Sequence, residues 1–458
     1  LQSEDPPHGE VLVVQPRRIA ARLAARRVAS ELGEPVGGRV GYRVRFESRG
    51  GPDTRLWFVT DGVLSRRLAA DPALSGVSVV VLDEFHERRL DTDVSLAVLQ
   101  QIRRTKRRDL AVVVMSATLD AEPVATYLGC GVIRAPGRPY PVDVEHAPRA
   151  DDRPLARRVA SALRRLLRRD LDGDVLVFLP GAAEIRRARE ACQPVADDAD
   201  LVVHTLHGDL PPAEQDRAIE PASRRKVILS TNVAETSVTI EGVVAVIDSG
   251  LARAPRHSPW AGLSRLETAP VSRASAAQRA GRAGRTRPGL CVRLYTLHDH
   301  ESRPEHQIAE VRRADLSGVA LGLRAGGWGP PSLFPFFERP TEASLGAADD
   351  LLEGLGALDG STGELTDLGR RMAALPLHPR LARLCLEARE RGDGRRGALL
   401  AALLAEREIR LAARTSFSDQ QDRLVEEGPS DLLARLESFE AAEREGLRAA
   451  RMRAMGLD

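Results

Sequence analysis

Lysine is almost missing from this chain: of its 67 basic residues only Lys106 and Lys226 are lysine, and the rest are arginine. Together with heavy use of alanine, leucine and glycine, that skew looks like a codon-composition bias, so a lone arginine carries less weight here than elsewhere. Cysteine is scarce as well. Cys130, Cys192, Cys291 and Cys385 stand far apart and form neither a CxxC pair nor a disulfide ladder. That argues against a zinc site and against disulfides, and for a reducing, cytoplasmic setting. No apolar run is long enough to span a bilayer and no signal peptide opens the chain, so no membrane role is expected. An excess of one charge is missing too. The 67 basic and 65 acidic residues leave a net charge of +2, which removes any global basic field but leaves room for local patches. The length, 458 residues, implies about three domains, each with its own core.

What the chain does have is an apolar run, Val77-Ser78-Val79-Val80-Val81-Leu82, that ends in Asp83-Glu84-Phe85-His86-Glu87-Arg88. A β-branched run stopping at adjacent carboxylates reads as a buried strand with acid at its carboxyl tip. Open α/β sheets bind ligands at that end of their strands, and paired carboxylates suit a hard cation such as Mg²⁺ carried in by a nucleotide. On that reading Asp83 holds the metal and Glu84 orients an attacking water; the plain alternative is an acidic loop after a strand. Glu10–Val14 stops at Gln15-Pro16-Arg17-Arg18 ahead of a helix reaching Leu32. There the arginines and free N–H groups either grip phosphates or merely solvate a helix start. Leu56–Val59 ends in Thr60, a helix cap or a phosphate ligand, and Leu110–Met115 ends in Ser116-Ala117-Thr118. Strands and helices alternating in this way predict a parallel sheet with its polar strand tips along one edge.

Gly137 to Arg153, with Pro139, Pro141 and Pro148 inside it and Pro154 after it, reads as a linker without a regular element. The alternation then restarts with a helix from Pro154 to Asp170 whose arginines lie mostly on solvated faces. Strands follow at Val175–Leu179, Leu201–Thr205, Val227–Leu229 and Val243–Asp248, with helices at Ala182–Cys192 and Pro212–Glu220. Together they predict a second α/β domain. Ser230-Thr231-Asn232-Val233-Ala234-Glu235-Thr236-Ser237 gathers hydroxyl and amide donors past a strand, as a polar loop or as a cradle for a nucleic-acid backbone. In Gln278-Arg279-Ala280-Gly281-Arg282-Ala283-Gly284-Arg285, arginines recur every three residues on a predicted helix. No acidic partner lies between 272 and 287, which weighs against a merely solvated basic helix. Residues 251–272 read as a β-hairpin with Pro259-Trp260-Ala261-Gly262 at its tip, where Trp260 either stacks on a base or packs on its own protein. Beyond residue 307 helices take over. Thr341 can cap a helix with Leu345, Ala348, Leu352 and Leu355 on one face, Gly356 can end it, and Leu358–Thr366 reads as a short hairpin before a helical stretch to Asp458.

Taken in order, these segments resemble the motifs of the superfamily 2 DEAH-box helicases, most closely the bacterial HrpB-type branch, across nearly the whole chain. Gln15–Arg18 resembles motif Ia, Thr60–Leu64 motif Ib, Asp83–His86 motif II with Phe85 in the usual alanine place, and Ser116–Thr118 motif III. Leu176–Gly181 resembles motif IV, Ser230–Ile240 motif V and Gln278–Arg285 motif VI. The resemblance implies an α/β fold of two tandem RecA-like parallel-sheet domains, residues 1–147 and 148–307. A winged-helix-like domain at 308–372 and the start of a helical ratchet-like domain at 373–458 would follow.

The activity it implies is that of an ATP-dependent helicase, cleaving a phosphoric anhydride with Mg²⁺ and moving along a single nucleic-acid strand, RNA favoured and DNA possible, as a monomer. Asp83 would hold the metal through water and Glu84 would be the general base. Arg282 and Arg285 would reach across as arginine fingers, and His86 would hydrogen-bond toward Gln278. Ser116 and Thr118, beside the nucleotide, would couple closure to a strand-binding face formed by Arg17, Arg18, Thr60, Thr231 and Asn232, with Trp260 on the hairpin. Matching the flanks puts Arg27 and Ile219 on either side of the adenine, where Ile219 departs from the family's aromatic and cannot stack. A larger departure is that no GxxxxGK[ST] phosphate loop occurs in these residues. The expectation is a fragment lacking that loop and the later carboxyl-terminal domains, inactive alone. The competing reading is a nucleic-acid-binding module that hydrolyses nothing.

Overall fold

The computed structural model describes residues 9–458 except 118–119, 136, 138–139, 170–171, 237, 259–262, 406–408, 410–429, 449–450, 453–456 and 458, and except the side chains of 255–258 and 263–265. The first sheet comprises β1 (Glu10–Gln15), β2 (Val40–Val44), β3 (Glu47–Arg49), β4 (Leu56–Thr60), β5 (Val77–Leu82) and β6 (Ala111–Val114). Their spatial order is β3-β2-β4-β1-β5-β6, with every pairing parallel except β2–β3. The connecting helices are α1 (Arg18–Glu31), α2 (Asp61–Ala70), α3 (Leu90–Thr105) and α4 (Ala121–Leu128). Parallel strands need such crossovers, and the crossovers cover the faces of the central strands. On β1 the run Leu12 to Gln15 is buried, whereas β6 lies at a sheet edge with Val113 and the following Met115 exposed.

The second sheet takes β7 (Val142–His146), β8 (Asp174–Phe178), β9 (Val202–Leu206), β10 (Lys226–Ser230), β11 (Val243–Asp248) and, after an antiparallel hairpin of β12 (Leu251–Ser258) and β13 (Leu263–Pro270), β14 (Gly289–Arg293). Its order is β7-β14-β11-β8-β10-β9, parallel throughout. Every residue of β8, β10 and β11 is buried, as continuous apolar runs under two helical layers demand. The helices are α5 (Leu155–Leu167), α6 (Ala182–Asp198), α7 (Pro212–Ile219), α8 (Arg273–Gly281) and α9 (Leu297–Ser302). On α5 the buried stripe Val159, Ala162, Leu163 and Leu166 faces the sheet core. Ile19 and Leu23 of α1 join the core on the other side of this sheet, with Leu206, Ala218 and Val233. The two sheets therefore share apolar contacts and fall in one compact unit, which runs to Ala314 and includes Pro335–Thr341.

The other unit, Asp315–Phe334 with the chain from Glu342, is helical: α10 (Ser317–Ala325), α11 (Glu342–Gly354), α12 (Asp367–Ala373), α13 (Pro379–Glu390), α14 (Gly394–Ala405) and α15 (Asp431–Arg444). Leu345, Ala348 and Leu352 form the buried face of α11. Gly356 follows with φ +73°, a left-handed conformation that suits glycine, and an antiparallel bridge pairs Leu358 with Leu365. His378 Nε2 lies 3.0 Å from Asp315 Oδ2 and 3.3 Å from Ser317 Oγ, tying the starts of α13 and α10 together.

Two sequence expectations need correction, and one pair of strands was not foreseen. The proline-rich stretch from Gly137 to Arg153 does contain a regular element: β7 pairs with β14 along residues 142–146, because prolines flank that strand rather than interrupt it. The second sheet therefore begins before residue 148. Thr60 stands at the amino end of α2 but makes no side-chain capping bond. The β2–β3 pair was not anticipated at all.

Candidate functional site

The acidic stretch forms a tight turn at the end of β5. Asp83 N–H donates to Val14 O at 3.0 Å, and the Asp83 carboxylate accepts from Gln15 Nε2 at 2.6 Å and from the Glu84 N–H at 2.8 Å. Glu84 (φ 53°) and Arg88 (φ 47°) are both left-handed, flanking a single 3-10 turn from Phe85 to Glu87. Such backbone is costly for non-glycine residues and persists where its surroundings over-determine it. Here Phe85 N–H bonds to Met115 O at 3.0 Å, and the buried Phe85 ring packs 5.9 Å from that of Phe337. Arg88 stacks its guanidinium 4.9 Å over Phe337 while reaching Glu338 at 2.9 Å. Burial, helped by Asp83 and Glu87, lifts the Glu84 carboxyl to about 7, opposed by Arg282 and Arg17. His86 lies with Nε2 3.5 Å from Glu84 and accepts from Ala117 N–H at 3.4 Å through Nδ1. Burial lowers its pKa.

The second sheet supplies the basic side. Ser272 caps α8, whose last turn and the 3-10 turn after it carry the arginine row. These arginines do not share one surface. Arg279 is wholly buried, donating to Glu235 at 2.8 Å and to Asp248 at 2.9 Å, so its acidic partners come from distant segments rather than from its own helix. Arg282 is nearly as buried, and among the described residues it bonds neutral carbonyls, Thr236 O at 2.6 Å and Val238 O at 2.8 Å. Burial and Arg285 pull its pKa down to about 9, with Glu84 acting against them. Arg285 is exposed and donates to Thr239 Oγ1. Thr236 links the two sides, bonding Glu87 of the acidic turn through its hydroxyl at 2.9 Å and Arg282 through its carbonyl at 2.6 Å, and the charge of Glu84 opposes the lowering of both arginine pKa values.

Beside this convergence lies a cavity of about 300 Å³ whose lining includes Arg17, His86, Asn232, Arg253, Gln278 and His306. His86 and Gln278 thus share one cavity. Arg17 donates to Asn232 Oδ1 at 3.3 Å and to both Glu87 oxygens at 3.2 and 3.3 Å, and Thr236 Oγ1 donates to Glu87 at 2.9 Å. Glu87 was missed by the sequence reading, although its position inside the acidic turn was signal enough to consider it. Arg18 is exposed, and Thr60 and Thr231 are half-buried. Arg27 is exposed and paired with Glu31 at 2.6 Å, and Ile219 packs against the same core as Leu23. Ser116 is exposed, whereas Thr118 and Trp260 lie outside the described residues.

Residues 158–287 match the helicase conserved C-terminal domain, and residues 350–377 match the helicase associated domain (HA2), winged-helix. The ATP-dependent RNA helicase HrpB of Escherichia coli (strain K12) is 40% identical over 402 residues, 87% of this chain. The crystal structure of the Escherichia coli DEAH/RHA helicase HrpB aligns with a TM-score of 0.82 at 38% identity, covering 95% of this chain and 56% of that one. The chain belongs to the DEAH/RHA helicase family. A further relative, the ATP-dependent RNA helicase HrpA of the same organism, is 37% identical over 92% of this chain. The chain spans 49% of the HrpB relative and 33% of the HrpA relative. Membership of the DEAH/RHA helicases accounts for the two RecA-like parallel sheets followed by a winged helix and a helical region. Among the described residues no helix is long and apolar enough to cross a membrane.

Proposed function

We propose that this chain carries much of an ATP-driven motor that translocates along single-stranded RNA, with hydrolysis between the two sheets and the strand beside the cavity. The observation that carries this reading is that Thr236 bonds Glu87 of the acidic turn through its hydroxyl and Arg282 through its carbonyl, which brings the acidic tip of the first sheet and the arginine segment of the second together. It is supported by relatives whose names describe ATP-dependent RNA helicases. The donor set fits a nucleotide-borne cation. Asp83 is held by Gln15 and by the Glu84 N–H with lone pairs to spare, and no three His, Cys, Asp or Glu side chains gather as a metal cage among the described residues. When bound, Mg·ATP supplies the anhydride to be cleaved. Asp83 would hold the cation through water, and Glu84, with its raised proton affinity, would take the proton of the attacking water. Arg282 and Arg285 would face the charge that builds on the transferring phosphoryl group, Arg282 from a dry setting in which its field is little screened. His86 and Gln278 would link the two sheets, Ser116 and Thr118 would relay closure, and Arg27 and Ile219 would flank the base. Arg17, Arg18, Thr60, Thr231 and Asn232 would hold the sugar-phosphate backbone, and Trp260 would stand on the hairpin beside it.

The test is Arg285→Ala and Arg282→Lys in the intact parent protein, read by strand-stimulated ATP hydrolysis with thermal melting as the folding control. Loss of an arginine finger costs on the order of 10³-fold in rate. An effect below about tenfold at both positions, in folded protein, would return them to a structural role. A parent that binds RNA but hydrolyses nothing would instead be a strand-binding module.

A further inference from the structure

Glu87 stands where the strand-binding groups meet. Its carboxylate takes two hydrogen bonds from Arg17 and one from the Thr236 hydroxyl, while the other arm of Arg17 reaches Asn232. Arg17 and Asn232 are residues assigned to the strand, and Thr236 belongs to the same loop as Asn232. Two oxygens facing the Arg17 Nη2 group, with a hydroxyl donating to one of them, are the acceptors that a backbone phosphate also presents to its protein. Arg17 is not fully satisfied by this arrangement, because its buried Nε has no hydrogen-bond partner among the described residues. The group would therefore gain from a better acceptor. Burial works against ionising Glu87, but Arg17 and Thr236 keep its carboxyl below the usual glutamate range, so it is an anion in this setting. The other carboxylates lining the cavity are engaged elsewhere: Glu235 with Arg279 and Ser275, and Glu310 with the Leu90 N–H and Arg313.

We propose that Glu87 is an internal stand-in for a strand phosphate: it occupies Arg17 and Thr236 while no strand is bound, and an arriving backbone phosphate must displace it. This rests on the strand-binding reading above and assigns a regulatory role to a residue outside it. Displacement matters for hydrolysis because Glu87 sits in the same single turn as Glu84, bonded backbone to backbone through Glu87 N–H to Glu84 O at 2.9 Å. A strand that pulls Arg17 and Thr236 away from Glu87 releases one end of the turn whose other end carries the proposed base, so strand occupancy is reported to that base by a competition between two anions.

The experiment uses the intact parent protein and a fluorescent single-stranded oligouridylate, with Kd measured by anisotropy without nucleotide over a range of salt. Glu87→Gln, nearly isosteric but uncharged, removes the competitor and should bind the oligonucleotide about threefold to tenfold more tightly, a shift within reach of one displaced ion pair. Its strand-free hydrolysis should rise and its stimulation by RNA shrink. Arg17→Ala should weaken binding and reduce the salt slope by about 1. In the Arg17→Ala background the gain from Glu87→Gln should vanish. Unchanged or weaker binding by folded Glu87→Gln would overturn the proposal and make Glu87 a support for Arg17. Absence of hydrolysis in the parent would strike the motor reading instead, and the binding comparison would still decide the role of Glu87.

Discussion

Arg279 and Arg285 sit six residues apart in one motif, yet the structure gives them opposite energetic roles, and mutation can separate them. Arg279→Met keeps most of the volume and removes the charge. It strips two carboxylates of their cation: the fully buried Asp248 and the half-buried Glu235. Breaking a buried ion pair from one side costs about 3–5 kcal/mol because a charge is left uncompensated. Loss of the guanidinium lying 4.9 Å over the Phe178 ring adds to this. Two donors remain on Asp248, the Gly250 N–H at 2.8 Å and the Tyr295 hydroxyl at 3.0 Å, so the penalty is partly relieved. The expected net loss is about 4 kcal/mol, a large part of a typical domain's stability of about 5–15 kcal/mol. At about 2–4 °C per kcal/mol for a domain of this size, melting of the second sheet should drop by about 8–16 °C. Circular dichroism during guanidinium unfolding reads it directly. Adding Asp248→Asn should recover part of the loss, since the unpaired charge then disappears. Arg285→Ala, at an exposed site, should stay within about 0.5 kcal/mol of the parent. A loss below about 1 kcal/mol for Arg279→Met would refute the account of α8 as anchored through that residue.

Three further outcomes follow from local geometry. Phe337→Ala removes the ring that packs on Phe85 and Tyr127 beneath the acidic turn, and should cost about 2 kcal/mol, less than the 3–5 typical of a fully buried phenylalanine because this ring is only half-buried. Differential scanning calorimetry checks the stability, and slower hydrolysis by the parent checks the effect on the turn. Asp315 is partly buried, which alone would raise its pKa, but bonds to His378 and Ser317 hold it far below the usual carboxylate range. A depressed carboxylate stabilises above its unfolded pKa of about 4 and loses that contribution as pH falls, so the helical unit should loosen in acid, and Asp315→Asn should flatten the acid limb of its melting curve. Asp61 has the opposite sign. Burial pushes it up to about 6 despite Arg89 and Thr92, so its stabilising contribution is present in acid and lost as pH rises from about 4 through 6; Asp61→Asn should therefore help most at neutral pH, as read by melting temperature against pH.

How legible the structure was depended on whether a residue's role was set nearby or far away along the chain. The β-branched run of β5, the buried strands β8, β10 and β11, and the apolar stripe of α5 were readable because their patterns are local, and β8, β10 and β11 are buried throughout. β7 was not, since its pairing with β14 is fixed by residues 147 positions along the chain while nearby prolines advertise a loop. The convergence of Glu84 with Arg282 and Arg285 was legible through the resemblance of whole motifs, each of which says little alone. Within those motifs the sequence could not separate Arg279, neutralised by Glu235 and Asp248, from Arg282, which bonds the carbonyls of Thr236 and Val238, because that difference lies in tertiary partners. Lys226, one of only two lysines, stood out in the sequence only for its rarity. It is buried and donates to Ala218 O at 3.2 Å and Glu220 O at 2.7 Å, a structural task invisible in composition.

The central claim is that the carboxylate of Glu84 accepts the proton of the attacking water. Its most direct test is Glu84→Gln in the intact parent protein, with RNA-stimulated ATP hydrolysis, ATP binding and RNA binding measured side by side. The amide keeps the shape of the side chain but cannot take the proton, so turnover should fall to background while both affinities stay within about threefold of the parent. Persistent hydrolysis, or a loss of binding as large as the loss of rate, would contradict the assignment.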